Sequence, residues 1–509
     1  MSQTDETITH DDGRVELTAP DKLEHSPLYN EDLAPVPVAK RTWSTWDYAA
    51  LWISMAHCIP TYTMASGLIA AGMSWWQALL TILLGNIIVL APILLNSHPG
   101  TKYGIPFPVL ARAAYGTAGS NLPALMRALI ACGWFGINAW IGGLALQAFI
   151  ASLWPGWNDL LGYFGGFSFN DWPEKDWFPG TLWISFALFW ALNILIIYKG
   201  MELVRRLERF AAPFVLVMTA ILVGWAVWKA DGLGPIMESE GKPGAFASLF
   251  IPSLTATIGF WSTLSLNMPD FTRFGRSQRE QAIGQVVALP STMTVFAAMG
   301  IVITSATVII YGKAIESPIV LGSMFSNRLV VGIVMFTVVV ATLAVNIAAN
   351  VVSPANDFAN AFPRKIDFKR GGLITGIIGI LMFPWELLRD ANSYIFGWLL
   401  GYSGSLGAVA GVLIVDYWIL RKKQLDLRSL YVADGAYRYT NGWNMAAVFA
   451  TLVGTTVALL GAFWPPMKAI YDWAWFVGFG LSGGIYWVLM RGSIAHPEST
   501  AAGRRSVQG

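Results

Sequence analysis

Two pairs of side chains have the types and spacing to hold a flat ring. Trp134 and Asn138 stand four residues apart in Trp134-Phe135-Gly136-Ile137-Asn138, so a helix would put them on one face. An aromatic plate with an amide one turn away suits a planar ring carrying amide-like donors and acceptors. A tryptophan in an apolar stretch also serves packing or an interface, and alone that is its commoner role. Asn346 and Asn350 repeat the spacing. Asparagine inside an apolar stretch is costly unless paired, so both should face a bundle interior. For Asn346, glue between helices is the favoured role. His57 has the side chain to titrate near neutral pH; a neutral ring bonded to backbone is an equal alternative. Asp270 reads as an interfacial residue beside Arg273, Glu386 follows Trp385, and Arg127 reads as a snorkelling cation. No His-Glu-x-x-His zinc helix, phosphate loop or dinucleotide fingerprint is present, so an enzyme has little to build with. No cofactor and no metal are expected.

The backbone at two places points the same way. In Ser54-Met55-Ala56-His57-Cys58-Ile59-Pro60 the proline removes a donor and clashes with the preceding turn, so a helix should kink or unwind. In the second, Pro252 precedes Ile258-Gly259-Phe260-Trp261, where Gly259 tolerates geometry that other residues resist. Freed backbone groups at membrane depth survive only where protein buries them or they line a cavity. Each break alone is as well explained by an ordinary kink. Together, at the openings of two possible halves, they favour a transport site.

These pieces need long apolar helices to carry them. Of 509 residues 55% are hydrophobic and 13% charged, against about 25% charged in soluble domains. Twelve apolar segments can be marked, at 46–71, 75–97, 122–153, 178–199, 210–230, 246–269, 284–312, 329–358, 371–388, 392–417, 444–464 and 470–490. The ninth and tenth are separated only around Arg389-Asp390. The expected fold is an all-α polytopic membrane protein of twelve transmembrane helices. Residues 1–40 read as a disordered tail with no signal peptide, 41–491 as one transporter-sized domain, and 492–509 as a second tail. Cys58 and Cys132 lie in apolar segments, so no disulfide framework is implied. Lys and Arg concentrate in alternate loops, at Lys199 to Arg209, Arg273 to Arg279, Arg364 to Arg370 and Arg421 to Arg428, on the side of both termini. The positive-inside rule then makes both termini cytoplasmic, in a cell (inner or plasma) membrane. The 155–177 loop, with Trp154, Trp157, Trp172 and Trp177, reads as an interfacial belt on the other side, where Lys175 is one of few cations. Gly397, Gly401, Gly404, Gly407 and Gly411 sit at small-xxx-small spacings that let helices approach. The net charge of +2 and the lack of a basic block give no reason to expect nucleic acid.

Several strings resemble the nucleobase:cation symporter-1 family, in the same order from about Arg41 to Arg491. They are His57-Cys58-Ile59-Pro60-Thr61-Tyr62, the run from Pro99 to Pro108, Gly133 to Ile137, Asn267-Met268-Pro269-Asp270-Phe271-Thr272-Arg273, and Asn346 to Asn350 with Ser353-Pro354-Ala355. The resemblance implies a LeuT-like inverted five-plus-five repeat plus two peripheral helices, and carriage of nucleobases, hydantoins, allantoin and related rings. It implies that the ring lies between Trp134 and Trp261, that Asn138 and Asn350 bond its edges, and that Cys58 and Phe260 add contacts, with His57 beside them. Two departures matter. Asn138 is shorter than the glutamine usual in relatives, and Cys58 replaces an amide with a weak donor. Sodium-coupled members also use two hydroxyl side chains of helix eight, whose positions match Ala344 and Val345. Neither offers the oxygen that a hard cation needs. Carbonyls near Ser54, His57 and Ala341, with Asn346 nearby, would form what remains of a coupling region. The resulting expectation is a permease importing a pyrimidine nucleobase, uracil first, by symport with protons rather than sodium. Allantoin, hydantoin or a purine- or cytosine-like ring is the alternative, and a membrane receptor that does not transport is the alternative from another class. The oligomeric state is left open.

Overall fold

Proline sets the first break. Thr45–Ala56 (α1) ends at His57 and Cys58, which leave helical geometry, and Ile59–Ala71 (α2) restarts with Pro60 in its first turn. A first-turn residue would leave its N–H unpaired anyway, and proline's φ is already helical. This computed structural model describes residues 2–4, 7–164, 178–387 and 393–493. Trp172, Trp177, Lys175, the Arg389-Asp390 junction and the tail from 494 onward lie outside the described residues.

The helices continue as Trp75–Tyr103 (α3), Phe107–Tyr115 (α4), Asn121–Leu153 (α5), Gly180–Lys199 (α6), Met201–Lys229 (α7) and Ala245–Phe260 (α8). Ser262–Asn267 (α9), Pro269–Thr272 (α10), Gln278–Tyr311 (α11), Pro318–Ser323 (α12), Arg328–Asn350 (α13) and Val352–Ala361 (α14) follow. The last are Phe368–Leu381 (α15), Pro384–Leu387 (α16), Leu400–Ile414 (α17), Met445–Phe463 (α18), Lys468–Asp472 (α19) and Ala474–Met490 (α20). Ser74, Ser277 and Asn327 cap α3, α11 and α13 by accepting from first-turn N–H groups, which satisfies donors the helix cannot. Among the described residues eight helical stretches are long and apolar enough to cross a membrane, or nine if the pair bent by 78° before Ala474 is one span. The expected segments outside those eight are the interrupted or short ones: α1 with α2, α8 with α9, the 14-residue α15, and α19 with α20.

The second break differs from expectation. Gly259 stays helical, and Trp261 is the residue that leaves the helix, at φ −103° and ψ 7°. Gly259 serves close approach instead: a Cβ there would stand 2.6 Å from the Leu399 carbonyl oxygen. Three of the five glycines in the tenth segment do the same. A Cβ on Gly411 would stand 2.2 Å from Phe479 O, one on Gly407 2.5 Å from Trp475 O, and one on Gly404 2.8 Å from Ala458 Cβ, whereas Gly397 has nothing within 4 Å. The backbones of α17 and α20 are therefore in direct contact. Gly411→Leu should cost about 1–3 kcal/mol or more through overpacking, read as lower detergent-extracted yield and an earlier thermal transition. Normal yield and melting would show that α20 can shift freely.

Residues 7–40, expected as a disordered tail, are packed. Thr7–Thr9 and Val15–Leu17 pair antiparallel, and Val15, Leu17, Leu23 and Leu33 are buried against Tyr103, Val109, Leu430 and Tyr431. Polar contacts tie the segment to the cation-rich end of the helices. Asn30 donates to Pro363 O (2.8 Å) and Ile366 O (3.0 Å), Arg273 donates to Asp32 O (2.7 Å), and Tyr431 donates to Leu33 O (2.7 Å). Arg112, wholly buried, donates to Asn360 Oδ1 at 2.7 and 3.0 Å, to Leu430 O at 2.9 Å and to Leu28 O at 3.2 Å. The four apolar anchors are too irregularly spaced to give a helical or strand period, which is why the sequence reads as a tail.

Candidate functional site

Where α1, α5, α8 and α13 meet, a cavity of about 20 Å³ is lined by Cys58, Trp134, Asn138, Phe260, Trp261 and Asn350, together with Met55, Val345 and Ala349. That is room for little more than a water, so a ring enters only if the lining side chains move. The breaks explain the convergence. Cys58 sits in the α1–α2 break, Trp261 in the α8–α9 break, and Asn350 closes α13 just before Val351 interrupts it.

Each ring has a fixed support. Trp134 donates its indole N–H to the Tyr402 hydroxyl at 3.1 Å and meets Tyr394 edge-on at 6.0 Å. Trp261 donates to Asn86 Oδ1 at 2.9 Å and stands edge-on to Trp52 at 5.1 Å. Phe260 touches both, 5.3 Å from Trp134 and 4.7 Å from Trp261. The two tryptophans therefore do not form an open slot in this structure, because the Phe260 ring stands edge-on to each. Such edge contacts favour aromatic packing by about 0.5–1.5 kcal/mol, small enough for a bound ring to displace.

The amides are arranged differently. Asn138 donates from Nδ2 to Trp134 O at 3.1 Å, while its Oδ1 is buried without a partner. Asn350 donates to Asn346 Oδ1 at 3.1 Å, and Asn346 in turn donates to Phe135 O (3.3 Å) and Asn193 Oδ1 (3.2 Å). Asn346 thus faces α5 and α6, away from Ser54, His57 and Ala341, and holds helices together. Cys58 Sγ lies 3.2 Å from the Thr61 hydroxyl.

His57 faces a neighbouring crevice of about 80 Å³, which it lines with Cys58, Val215, Phe296, Ala341 and Thr342. Its Nδ1 donates to Ile53 O at 2.7 Å, so the lone pair sits on Nε2, which is buried and unpaired. Ser54 is buried on α1. The geometry brings His57 and Ala341 together and leaves Asn346 elsewhere. Ala344 is fully buried and Val345 faces the ring cavity.

Arg127 and Asp270 depart from their expected interfacial positions. Both are buried, and Arg127 pairs with Asp357 at 3.3 Å and reaches Ala349 O at 3.4 Å. Asp270 accepts from the Phe107 N–H at 3.0 Å. Asn267 donates to Ser353 nearby. Arg127 precedes Trp134, and Asp357 follows Asn350, by two helical turns, about 10 Å, so this polar layer lies under the cavity toward the cation-rich end. Asp357, Asn86, Asn193 and Tyr402 were not singled out from the sequence. Asn86 and Asn193 could have been, because each is an asparagine within an apolar span, as Asn346 is.

Residues 35–478 match the family described as permease for cytosine/purines, uracil, thiamine, allantoin. The chain is 42% identical to the allantoin permease of Bacillus subtilis (strain 168), across 93% of this chain and 95% of that one. It is 38% identical to the purine-uracil permease NCS1 of Arabidopsis thaliana, across 91% and 78%. Among solved structures, Mhp1, a nucleobase-cation-symport-1 family transporter in a closed conformation with bromovinylhydantoin bound, is similar at a TM-score of 0.74 and 24% identity, covering 91% of this chain and 96% of that one. By its match over most of its length and by its LeuT-like helical fold, this chain belongs to the nucleobase:cation symporter-1 family, whose members are multi-pass membrane permeases and not enzymes.

Proposed function

We propose that this chain imports a pyrimidine nucleobase, uracil first, by proton symport and alternating access. The observation that carries the reading is the single cavity around which Trp134, Asn138, Trp261 and Asn350 meet. A ring stacks on Trp134 when Phe260 swings aside, with Trp261 as the second plate. Asn138 Oδ1, which has no partner in the protein, accepts a ring N–H. Asn350 Nδ2 donates to a ring carbonyl, and Cys58 lines the floor. A buried acceptor left unpaired costs about 1–3 kcal/mol, and a ring with an amide edge relieves that cost. Alternating access rocks the broken helices about this midplane site. The cation-rich end, with residues 7–40 packed on it, faces the cytoplasm of a cell membrane.

A second substrate, allantoin, is favoured by one observation: the 42% identity to an allantoin permease along 95% of its length. Uptake of labelled uracil by cells expressing the chain, with unlabelled allantoin, hydantoin, cytosine and hypoxanthine as competitors, separates the two. Saturable uracil uptake is the expected result. Absent uracil uptake together with saturable allantoin uptake would transfer the site to the cyclic ureide.

Proton coupling is supported by Ala344 and Val345, which give a sodium ion no side-chain oxygen. In liposomes a proton gradient of about one pH unit should drive about tenfold accumulation for one proton per substrate. Replacing sodium by choline should leave the rate unchanged. A rate that collapses without sodium would refute the coupling.

A further inference from the structure

The structure assigns a role to a residue outside the ring cavity: we propose that Glu208, on α7, is the group that binds and releases the coupled proton. This deepens the proton-symport reading and rests on it.

Glu208 lies on the inward face of α7 with Val204, Ala211, Ala212 and Val215, and is 3% exposed. Both of its carboxyl oxygens are buried without a hydrogen bond of ordinary geometry; the polar side chain beside them is Ser54 of α1. The other buried acids among the described residues each have a partner. Asp47 pairs with Arg205 and Arg209 at 2.9 and 2.7 Å, Asp357 with Arg127, and Asp416 with Arg421 at 2.8 Å, while Asp270 accepts from Phe107. A carboxylate ion without a cation or donors is among the most costly groups to bury, so a lone buried carboxyl carries its proton until water or charge reaches it.

Its position suits coupling. Ser54 is three residues before His57, where α1 breaks. The α7 face that holds Glu208 continues through Val215, Met218, Thr219 and Leu222 into the crevice lined by His57 and Ala341. The charged and titratable groups nearby are engaged elsewhere. On α7, Arg205 and Arg209 turn to Asp47 of α1. On α11, Glu280 accepts from Thr45 and from Arg276. Tyr48 of α1 points toward Phe271 O, and His57 donates to Ile53 O. From α13 the only charge is Arg328, at the far end of that helix. None forms an ion pair with Glu208.

The step balances simply. A hydronium ion at the outer side gives a proton to the Glu208 carboxylate, forming an O–H bond and leaving water. When α1 moves from α7 and water enters from the other side, that O–H bond breaks and hydronium leaves, restoring the carboxylate.

The test uses the full chain in liposomes, with labelled uracil, or labelled allantoin if that is the ring carried. Wild type should accumulate label about tenfold under a one-unit pH gradient. Glu208→Gln should show an accumulation ratio near one, yet still exchange internal for external label. Glu208→Asp should accumulate, with its half-maximal pH displaced. Accumulation by Glu208→Gln equal to wild type overturns the proposal and leaves proton symport standing. Loss of exchange along with accumulation, in protein with a normal melting transition, overturns it in favour of a structural role. If Glu208→Gln does not fold, a Glu208→Asp pH profile identical to wild type overturns it. A wild type indifferent to the pH gradient overturns both this proposal and the coupling on which it rests.

Discussion

Asn350→Ala is expected to lower substrate uptake per folded transporter by about 10- to 100-fold, the effect of about 1.5–3 kcal/mol. The loss has two parts. The variant removes the donor that meets a ring carbonyl, and it removes the donor that Asn346 Oδ1 accepts at 3.1 Å. Asn346 still holds Phe135 and Asn193, so the helices should stay assembled and surface amount should change little. Uptake rates at several substrate concentrations, normalised to surface protein, provide the measurement. Normal uptake would remove Asn350 from the site, and with it the pocket on which the function is argued.

The largest stability effect is expected from Asp357→Ala. Asp357 and Arg127 have fully buried side chains and meet at 3.3 Å. Removing one partner strands the other's charge, which costs about 3–5 kcal/mol. Arg127 keeps only the long contact to Ala349 O and, at a distance, the charge of Asp270. Replacing both residues together, Arg127→Met with Asp357→Leu, should destabilise less than Asp357→Ala alone, since no charge is then stranded. Thermal unfolding of purified protein in detergent tests the order. A single variant as stable as wild type would mean that water already reaches the pair.

The long apolar helices were readable because each carries its own signal over some twenty residues. The ring cavity was readable for a different reason. Asparagine is costly inside an apolar helix unless paired, so Asn138 and Asn350 stand out individually; Trp134 was marked by its spacing from Asn138, and the resemblance added Trp261, Phe260 and Cys58. What escaped depends on partners distant in the chain. Arg127 near a helix end looks like any snorkelling cation until Asp357, 230 residues later, is placed beside it. Gly259 looks like a hinge until the Leu399 carbonyl is seen against it, which moves the break to Trp261. Glu208 looks like one charge among Arg205, Arg206 and Arg209, and only its helical face separates it from them. Residues 7–40 looked unstructured because their few apolar anchors find a surface built by other loops.

That last feature constrains how the protein is made. Ser26 bonds the Tyr431 carbonyl across 405 residues, and Tyr431 returns a bond to Leu33 across 398. Synthesis at about 5–20 residues per second separates these partners by roughly 20–80 seconds. Throughout that interval the amino-terminal segment can meet Tyr103, Ile105 and Val109 but lacks the part of its docking surface that Leu427, Leu430 and Tyr431 supply. Docking of the segment is therefore completed only after Tyr431 has been made. A bulky tag fused ahead of it, or slow translation between residues 40 and 430, would delay that completion without disturbing any membrane helix.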